Sequence, residues 1–139
     1  MKGENMKSYW SYMILFIVLF GIGYYLNNKN DFKVGGLYSV INDADTYSIA
    51  KVLVIDKSAI HIRVYKNKFK TRPDKMDAST LLLGTIHDKD GFGIGHLPLN
   101  IKEFKQWDPQ FIQQEKVNDE ELEGYKMWKE ANGGVFGNK

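Results

Sequence analysis

The side chains best suited to chemistry are three histidines, His61, His87 and His96, the last two with Asp88 and Asp90 close by in the chain. Imidazole and carboxylate groups bind divalent metals and transfer protons, so this set is compatible with a metal-dependent hydrolase. The spacing matches no metal-binding motif, and the acidic turn lacks the remaining carboxylates of a calcium loop. We therefore keep the hydrolase as an alternative and predict no metal, no cofactor and no catalytic residue.

A second group of candidate residues is basic and lies between positions 63 and 72, with aromatic residues among the cations. Such segments bind phosphate groups, which leaves anionic-lipid or nucleic-acid binding as an alternative function. The formal net charge of +2 argues against nucleic acid, and an edge strand protected from aggregation by its lysines explains the same pattern. The predicted binding residues are Arg63, Tyr65, Lys66, Lys68, Lys70, Arg72, Phe92 and His96.

Nucleophilic catalysis has little support in the sequence. The chain has no cysteine, which excludes thiol nucleophiles, disulfides and thiolate zinc sites, and it has no G-x-S-x-G motif. The glycine-rich run 91–96 (GFGIGH) matches neither phosphate-loop spacing and leads into Pro98, so it indicates a tight bend. We predict that the protein is not an enzyme.

The N-terminal part of the chain has the pattern of a membrane anchor. Residues 8–28 carry no charged side chain, and 13–22 (MILFIVLFGI) are almost continuously apolar. At a rise of 1.5 Å per residue this stretch can cross a hydrocarbon core of about 30 Å. We predict an N-terminal tail (1–7), a single transmembrane helix (8–28) that serves as a signal anchor, and a linker (29–33). The alternative is a cleaved secretory signal, which the bulky residues after Gly23 disfavour.

The orientation of this single-pass integral membrane protein does not follow from its charges. Lys2 and Lys7 precede the predicted span, and Lys29 and Lys33 follow it, so the positive-inside comparison is a tie. Because short N-terminal tails usually stay in the cytoplasm, we expect the C-terminal domain to be extracytoplasmic.

The remaining residues, 34–139, are predicted to form one small domain that begins with β-strands. Segments 37–41, 47–55 and 59–65 are strand-like and are separated by turn residues, and weaker patterns suggest strands at 81–87 and 111–114. The stretch 35–65 (GGLYSVINDADTYSIAKVLVIDKSAIHIRVY) resembles the opening of SH3-like barrels of the Tudor type. The resemblance implies a mainly-β (α+β) domain, built as a small antiparallel barrel or meander, and it implies no function.

A C-terminal helix is predicted over residues 119–131. Asn118 and Glu121 form a capping-box pattern, and the glycines after Asn132 supply the stop. Leu122, Tyr125 and Trp128 are spaced to form a buried stripe.

With no motif for catalysis, we expect a non-catalytic protein-binding or scaffolding module with a protein partner. The expected contact surface is an exposed sheet edge or the loop 91–99. A toxin-immunity protein is one concrete form of this expectation, based on chain length and the predicted anchor.

Overall fold

The computed structural model describes residues 12–19, 32–43, 45–57 and 59–137. The chain divides into two compact units, Met1–Asp31 and Phe32–Lys139. Residues 12–19 of the first unit are helical, while 1–11 and 20–31, which include the predicted tail and the rest of the predicted span, lie outside the described residues.

The described residues correct the membrane prediction. None of their helices is long and apolar enough to cross a membrane. The predicted transmembrane helix and signal anchor are therefore wrong, as are the integral membrane partner, the single-pass localisation and the extracytoplasmic placement that were derived from them.

The second unit is built on five antiparallel strands. They are β1 (Gly36–Asn42), β2 (Thr46–Asp56), β3 (Ala59–Val64), β4 (Ile94–Asn100) and β5 (Gln110–Gln114). Their order in the sheet is β4-β3-β2-β1-β5. The expectation of a mainly-β antiparallel domain agrees with this sheet, but the predicted SH3-like barrel is wrong, because the described strands form an open sheet whose edges, β4 and β5, do not pair.

Short helices complete the unit. They are a 3-10 turn at Ala78–Thr80, helix α1 (Ile101–Gln106), a 3-10 turn at Asp119–Leu122 and helix α2 (Glu123–Glu130). Asn100 caps α1 by accepting a hydrogen bond from the Lys102 N–H at 2.8 Å. The C-terminal helix predicted at 119–131 thus begins as a 3-10 turn, and the predicted strand 81–87 is a loop in the structure.

One face of the sheet carries the apolar core. Its buried members come from β1 to β4 and from α1, and they are Tyr38, Val40, Ala50, Val52, Ile60, Ile62, Leu99, Ile101 and Phe104. Phe104 is fully buried, and its ring lies 5.0 Å from that of Phe32 and 6.2 Å from that of Tyr38, edge to face. Burying side chains of this size stabilises the fold by about 1.5–3 kcal/mol each.

The opposite face is more polar, and the C-terminal segment, residues 115–136, covers it. Because side chains alternate along a strand, Lys51 and His61 point away from the core described above. Both are nonetheless buried, at 5% and 0% exposed. Lys51 Nζ donates to the Lys116 carbonyl at 2.7 Å and pairs with Glu121 at 2.9 Å, so it holds the segment that leads into α2.

Candidate functional site

Two of the predicted basic binding residues are engaged inside the protein. Arg63 donates through Nε to the Gly95 carbonyl at 3.2 Å and lies 3.6 Å from the Glu121 carboxylate. Arg72 pairs with Asp108 at 2.9 Å, and its guanidinium lies over the Tyr47 ring at 4.6 Å. Their charges therefore contribute little to an external anion site.

Lys66 is also paired, and its partners lie on the loop that follows Thr80. Its Nζ contacts Asp88 at 2.8 Å and Asp90 at 3.0 Å. The hydrogen bond to Asp88, followed by that to Asp90, raises the pKa of Lys66, and the bond from Lys66 lowers the pKa of Asp88. Lys68 and Lys70 have no ion-pair partner in the described part of the chain, so an anion-binding role for 63–72 would depend on these two lysines.

Four of the eight predicted binding residues meet around one cavity of about 210 Å³. They are Tyr65, Lys66, Lys68 and Phe92. The remaining lining residues are Asn42, Ser48, Val64, Asp90, Gly91, Gly93 and Ile94. Arg63, Lys70, Arg72 and His96 do not line this cavity.

The loop 81–93 forms one wall of this region and is tied to the strands by its backbone. The Gly93 N–H donates to the Leu83 carbonyl at 2.6 Å, and the Lys66 N–H donates to the Leu82 carbonyl at 2.9 Å. A Cβ atom at Gly93 would lie 2.2 Å from the Val64 carbonyl oxygen, so only glycine permits this approach. The loop is therefore held in a defined position against β3 and β4.

This ordered loop and the first residue of β4 display large apolar side chains to solvent. Leu82 is 54% exposed, Ile86 74%, Phe92 57% and Ile94 42%. The bond between Leu83 and Gly93 joins the two arms of the loop that carries Leu82, Ile86 and Phe92, and Ile94 follows it directly. We call Leu82, Ile86, Phe92 and Ile94 the apolar loop surface.

The structure brings two of the three histidines together. His61 Nδ1 and His96 Nε2 lie 2.9 Å apart, so one ring donates a hydrogen bond and the other accepts it. The two rings are nearly parallel, with an angle of 6° between them. His87 lies elsewhere, in an exposed turn where its backbone N–H donates to Thr85 Oγ1. In the described ranges, no group of three or more His, Asp or Glu side chains could hold a metal ion.

Aromatic rings of α2 enclose His61. The ring centroids of Tyr125 and Trp128 lie 4.8 Å and 4.5 Å from that of His61, at steep angles of 76° and 69°. His61 Nε2 is buried and has no hydrogen-bond partner among the described residues.

Burial keeps this pair neutral. It lowers the pKa of His61 to about 4, with a smaller contribution from the neighbouring His96 and an opposing one from Asp56. Burial also lowers the pKa of His96.

Glu121 connects the polar face to the start of the C-terminal helix. It is part of a capping box, accepting the Asn118 N–H at 2.9 Å, and it also accepts two bonds from Lys51. Burial alone would raise the pKa of Glu121, but the Asn118 and Lys51 bonds outweigh this effect and lower the pKa. Sequence reasoning identified the capping box and missed Lys51, because nothing local distinguishes a buried lysine in a strand.

Ser48 and Lys51 have the S-x-x-K spacing found in some hydrolases. Both residues lie on β2, and Ser48 pairs with Val40, a member of the apolar core. Residues three apart on a strand point to opposite faces, so the Lys51 amine and the Ser48 hydroxyl are separated by the sheet.

Comparison with known proteins finds no match among protein families, curated proteins or solved structures. The segment 35–65, whose pattern resembles Tudor-type barrels, forms β1 to β3 of the open sheet.

Proposed function

We propose that this chain is a protein-binding module and that the apolar loop surface is its contact site. The observation that carries the proposal is the exposure of Leu82, Ile86, Phe92 and Ile94 on a loop with a defined position. Large apolar groups exposed together on an ordered surface are characteristic of interaction sites. A protein partner would remove them from water.

The loop is suited to binding because it is already ordered. Its backbone bonds, between Gly93 and Leu83 and from Lys66 to Leu82, together with the ion pairs from Lys66 to Asp88 and Asp90, hold it in one arrangement before a partner arrives. Pre-ordering reduces the conformational entropy that is lost on association. The cavity of about 210 Å³ beside Phe92 can accept a partner side chain.

The sheet edges are less suitable contact surfaces. The outer side of β4 already bonds to Phe136, which accepts from the Asn100 N–H at 2.8 Å and donates to the Pro98 carbonyl at 3.0 Å. The pairing of β5 with β1 is interrupted by a bulge between Leu37 and Tyr38, and bulges discourage the addition of another strand. We therefore place the contact on the loop.

Site-specific photo-crosslinking in cells tests this proposal. A photoreactive phenylalanine analogue is placed at Phe92 in one variant and, as a matched control, at Phe136, which is 63% exposed and lies at the other end of β4. We expect a discrete protein adduct from position 92 and none of the same mass from position 136. Mass spectrometry then identifies the partner, and a toxin-type protein is one of the identities it would reveal.

Binding of the purified partner provides the quantitative test. We expect Phe92→Ala to weaken the affinity about tenfold or more, because a buried aromatic anchor typically contributes more than about 1 kcal/mol. Phe136→Ala should change it less than twofold. Equal adducts at both positions, or equal affinities of the two variants, would show that the apolar loop surface is not the contact site.

A further inference from the structure

The attachment of the C-terminal segment to the sheet depends on few contacts. Helix α2 has no buried residue of its own. It touches the sheet through Tyr125 and Trp128, whose rings enclose His61, and through Gly124, where an added Cβ would lie 2.5 Å from the Cβ of His96. Helix α2 therefore packs against the histidine pair.

Both ends of this segment are anchored independently of the histidines. At one end Lys51 Nζ donates to the Lys116 carbonyl and pairs with Glu121, and at the other the Phe136 backbone bonds to Pro98 and Asn100. Residues 122–134 lie between these anchors. They can leave the sheet as a closed loop without separating the chain from the domain.

The sheet does not need this segment for its apolar core. The core cluster lies on the opposite face, and neither its buried members nor the side chains packed against it come from residues 115–136. Segments with little buried apolar surface open locally at a lower free energy than the whole domain unfolds. We propose that the contact between His61 and His96 is a pH-sensitive latch, so that mild acidification releases residues 122–134 while the five strands stay folded.

Protonation acts on this contact in two ways. In the neutral pair one nitrogen donates and the other accepts at 2.9 Å, and a proton on each ring would place two donors and two positive charges against each other. A charged His61 would also be enclosed by Tyr125 and Trp128 with no hydrogen-bond partner for Nε2 among the described residues. In the released state both imidazoles are hydrated and titrate normally.

Other charged groups near the pair modify the response. Asp56 on β2 favours the protonated form of His61. Lys51 on β2, Arg63 on β3 and Glu121 at the start of the C-terminal segment form a second contact. Tyr125 on α2 carries Lys129 over its ring at 5.9 Å. Because the pKa of Glu121 is lowered, its ion pairs survive until lower pH, so the histidines respond first.

The size of the effect follows from linkage. Burial lowers the pKa of His61 from 6.5 to about 4. The closed state keeps its full stability above pH 6.5, the ordinary pKa of histidine. It loses stability as the pH falls toward 4, the pKa of the buried ring. His61 alone shifts the balance toward release by roughly 40-fold between pH 6.5 and 4.5.

Hydrogen exchange of the full chain, corrected for the intrinsic effect of pH, tests the latch. Between pH 6.5 and 4.5 we expect the protection of amides in α2 to fall by roughly 40-fold and to stay well below that of amides in β2 and β3, which exchange only when the whole domain unfolds. His87→Asn, which removes an exposed histidine, should behave as the wild type. His61→Asn should leave no more than about a fivefold fall in α2.

Gly124→Ala provides a second variant in case His61→Asn does not fold. The added methyl group forces α2 away from His96 without weakening the helix itself, so it should move release to higher pH and leave the strands protected. The latch is refuted if α2 keeps its protection at pH 4.5, if amides of the helix and the strands are equally protected, or if His61→Asn responds to pH as the wild type does.

Discussion

The Lys51–Glu121 ion pair is the strongest single connection between the sheet and the C-terminal segment, and Glu121→Gln removes its charge while keeping its shape. The two residues are 5% and 8% exposed, and Lys51 Nζ lies 2.9 Å from both carboxylate oxygens. After the substitution the Lys51 ammonium stays buried with the Lys116 carbonyl as its principal acceptor. We expect a large loss of stability from this uncompensated charge.

The structure sets the expected magnitude. Removing one partner of a buried ion pair typically costs about 3–5 kcal/mol. The lower end applies here, because the glutamine amide oxygen can still accept the Asn118 N–H, and the contact with Arg63, at 3.6 Å, is the weaker one to be lost. We therefore expect a decrease of about 3 kcal/mol in the free energy of unfolding, a large share of the roughly 5–15 kcal/mol of a typical domain.

Urea unfolding followed by circular dichroism measures this loss. Glu120→Gln, an exposed glutamate in the same turn, is the matched control and should change the free energy of unfolding by less than about 0.5 kcal/mol. The double variant Lys51→Met with Glu121→Met should recover most of the loss, remaining about 1 kcal/mol below the wild type because the capping bond is gone. A loss below about 1 kcal/mol for Glu121→Gln would refute the reasoning, since that value is typical of hydrated surface pairs.

Three further measurements test other parts of the structure. Phe104→Ala should lower the free energy of unfolding by about 3–5 kcal/mol through the cavity it leaves in the core. Met127 is 70% exposed, so Met127→Ala should change the free energy of unfolding by less than about 0.5 kcal/mol. Equal losses in the two variants would contradict the packing of Phe104. Because burial lowers the pKa of His61 to about 4, the free energy of unfolding of the wild type should fall by up to about 3 kcal/mol as the pH drops from 6.5 to 4. If urea titrations show no dependence of this free energy on pH, a neutral buried ring is excluded. Lys66→Gln should speed amide exchange in the loop 81–93 and weaken partner binding, because the ion pairs to Asp88 and Asp90 are lost; unchanged exchange would show that the backbone bonds alone order the loop.

Local patterns predicted the first three strands well. The expected segments 37–41, 47–55 and 59–65 fall on β1, β2 and β3, because alternation and turn residues act over a few neighbouring positions. Local patterns failed to predict the fourth strand. The apolar run at Leu81 forms a loop, and β4 instead uses 94–100, where Gly95 and Pro98 suggested irregular structure. Pairing with β3 stabilises that segment, and no local property of the sequence predicts this pairing.

The candidate site was predicted only in part. Tyr65, Lys66, Lys68 and Phe92 were chosen from composition and share a cavity. The charges of the basic segment were misjudged, because the acidic residues that pair with Arg63, Lys66 and Arg72 are distant in the chain. Hydropathy likewise predicted a membrane span at 8–28, whereas none of the described helices is long and apolar enough to cross a membrane.

The sequence by itself determined the strand-forming segments at 37–65 and the capping box at Asn118, since each depends on residues within a few positions of one another. Only the tertiary structure decided that His61 meets His96 across 35 positions and that Lys51 meets Glu121 across 70. Such contacts depend on how the strands reverse and pair, and the energies that favour them are spread over the whole sheet. The chemistry of the buried polar face therefore exists only in the folded chain.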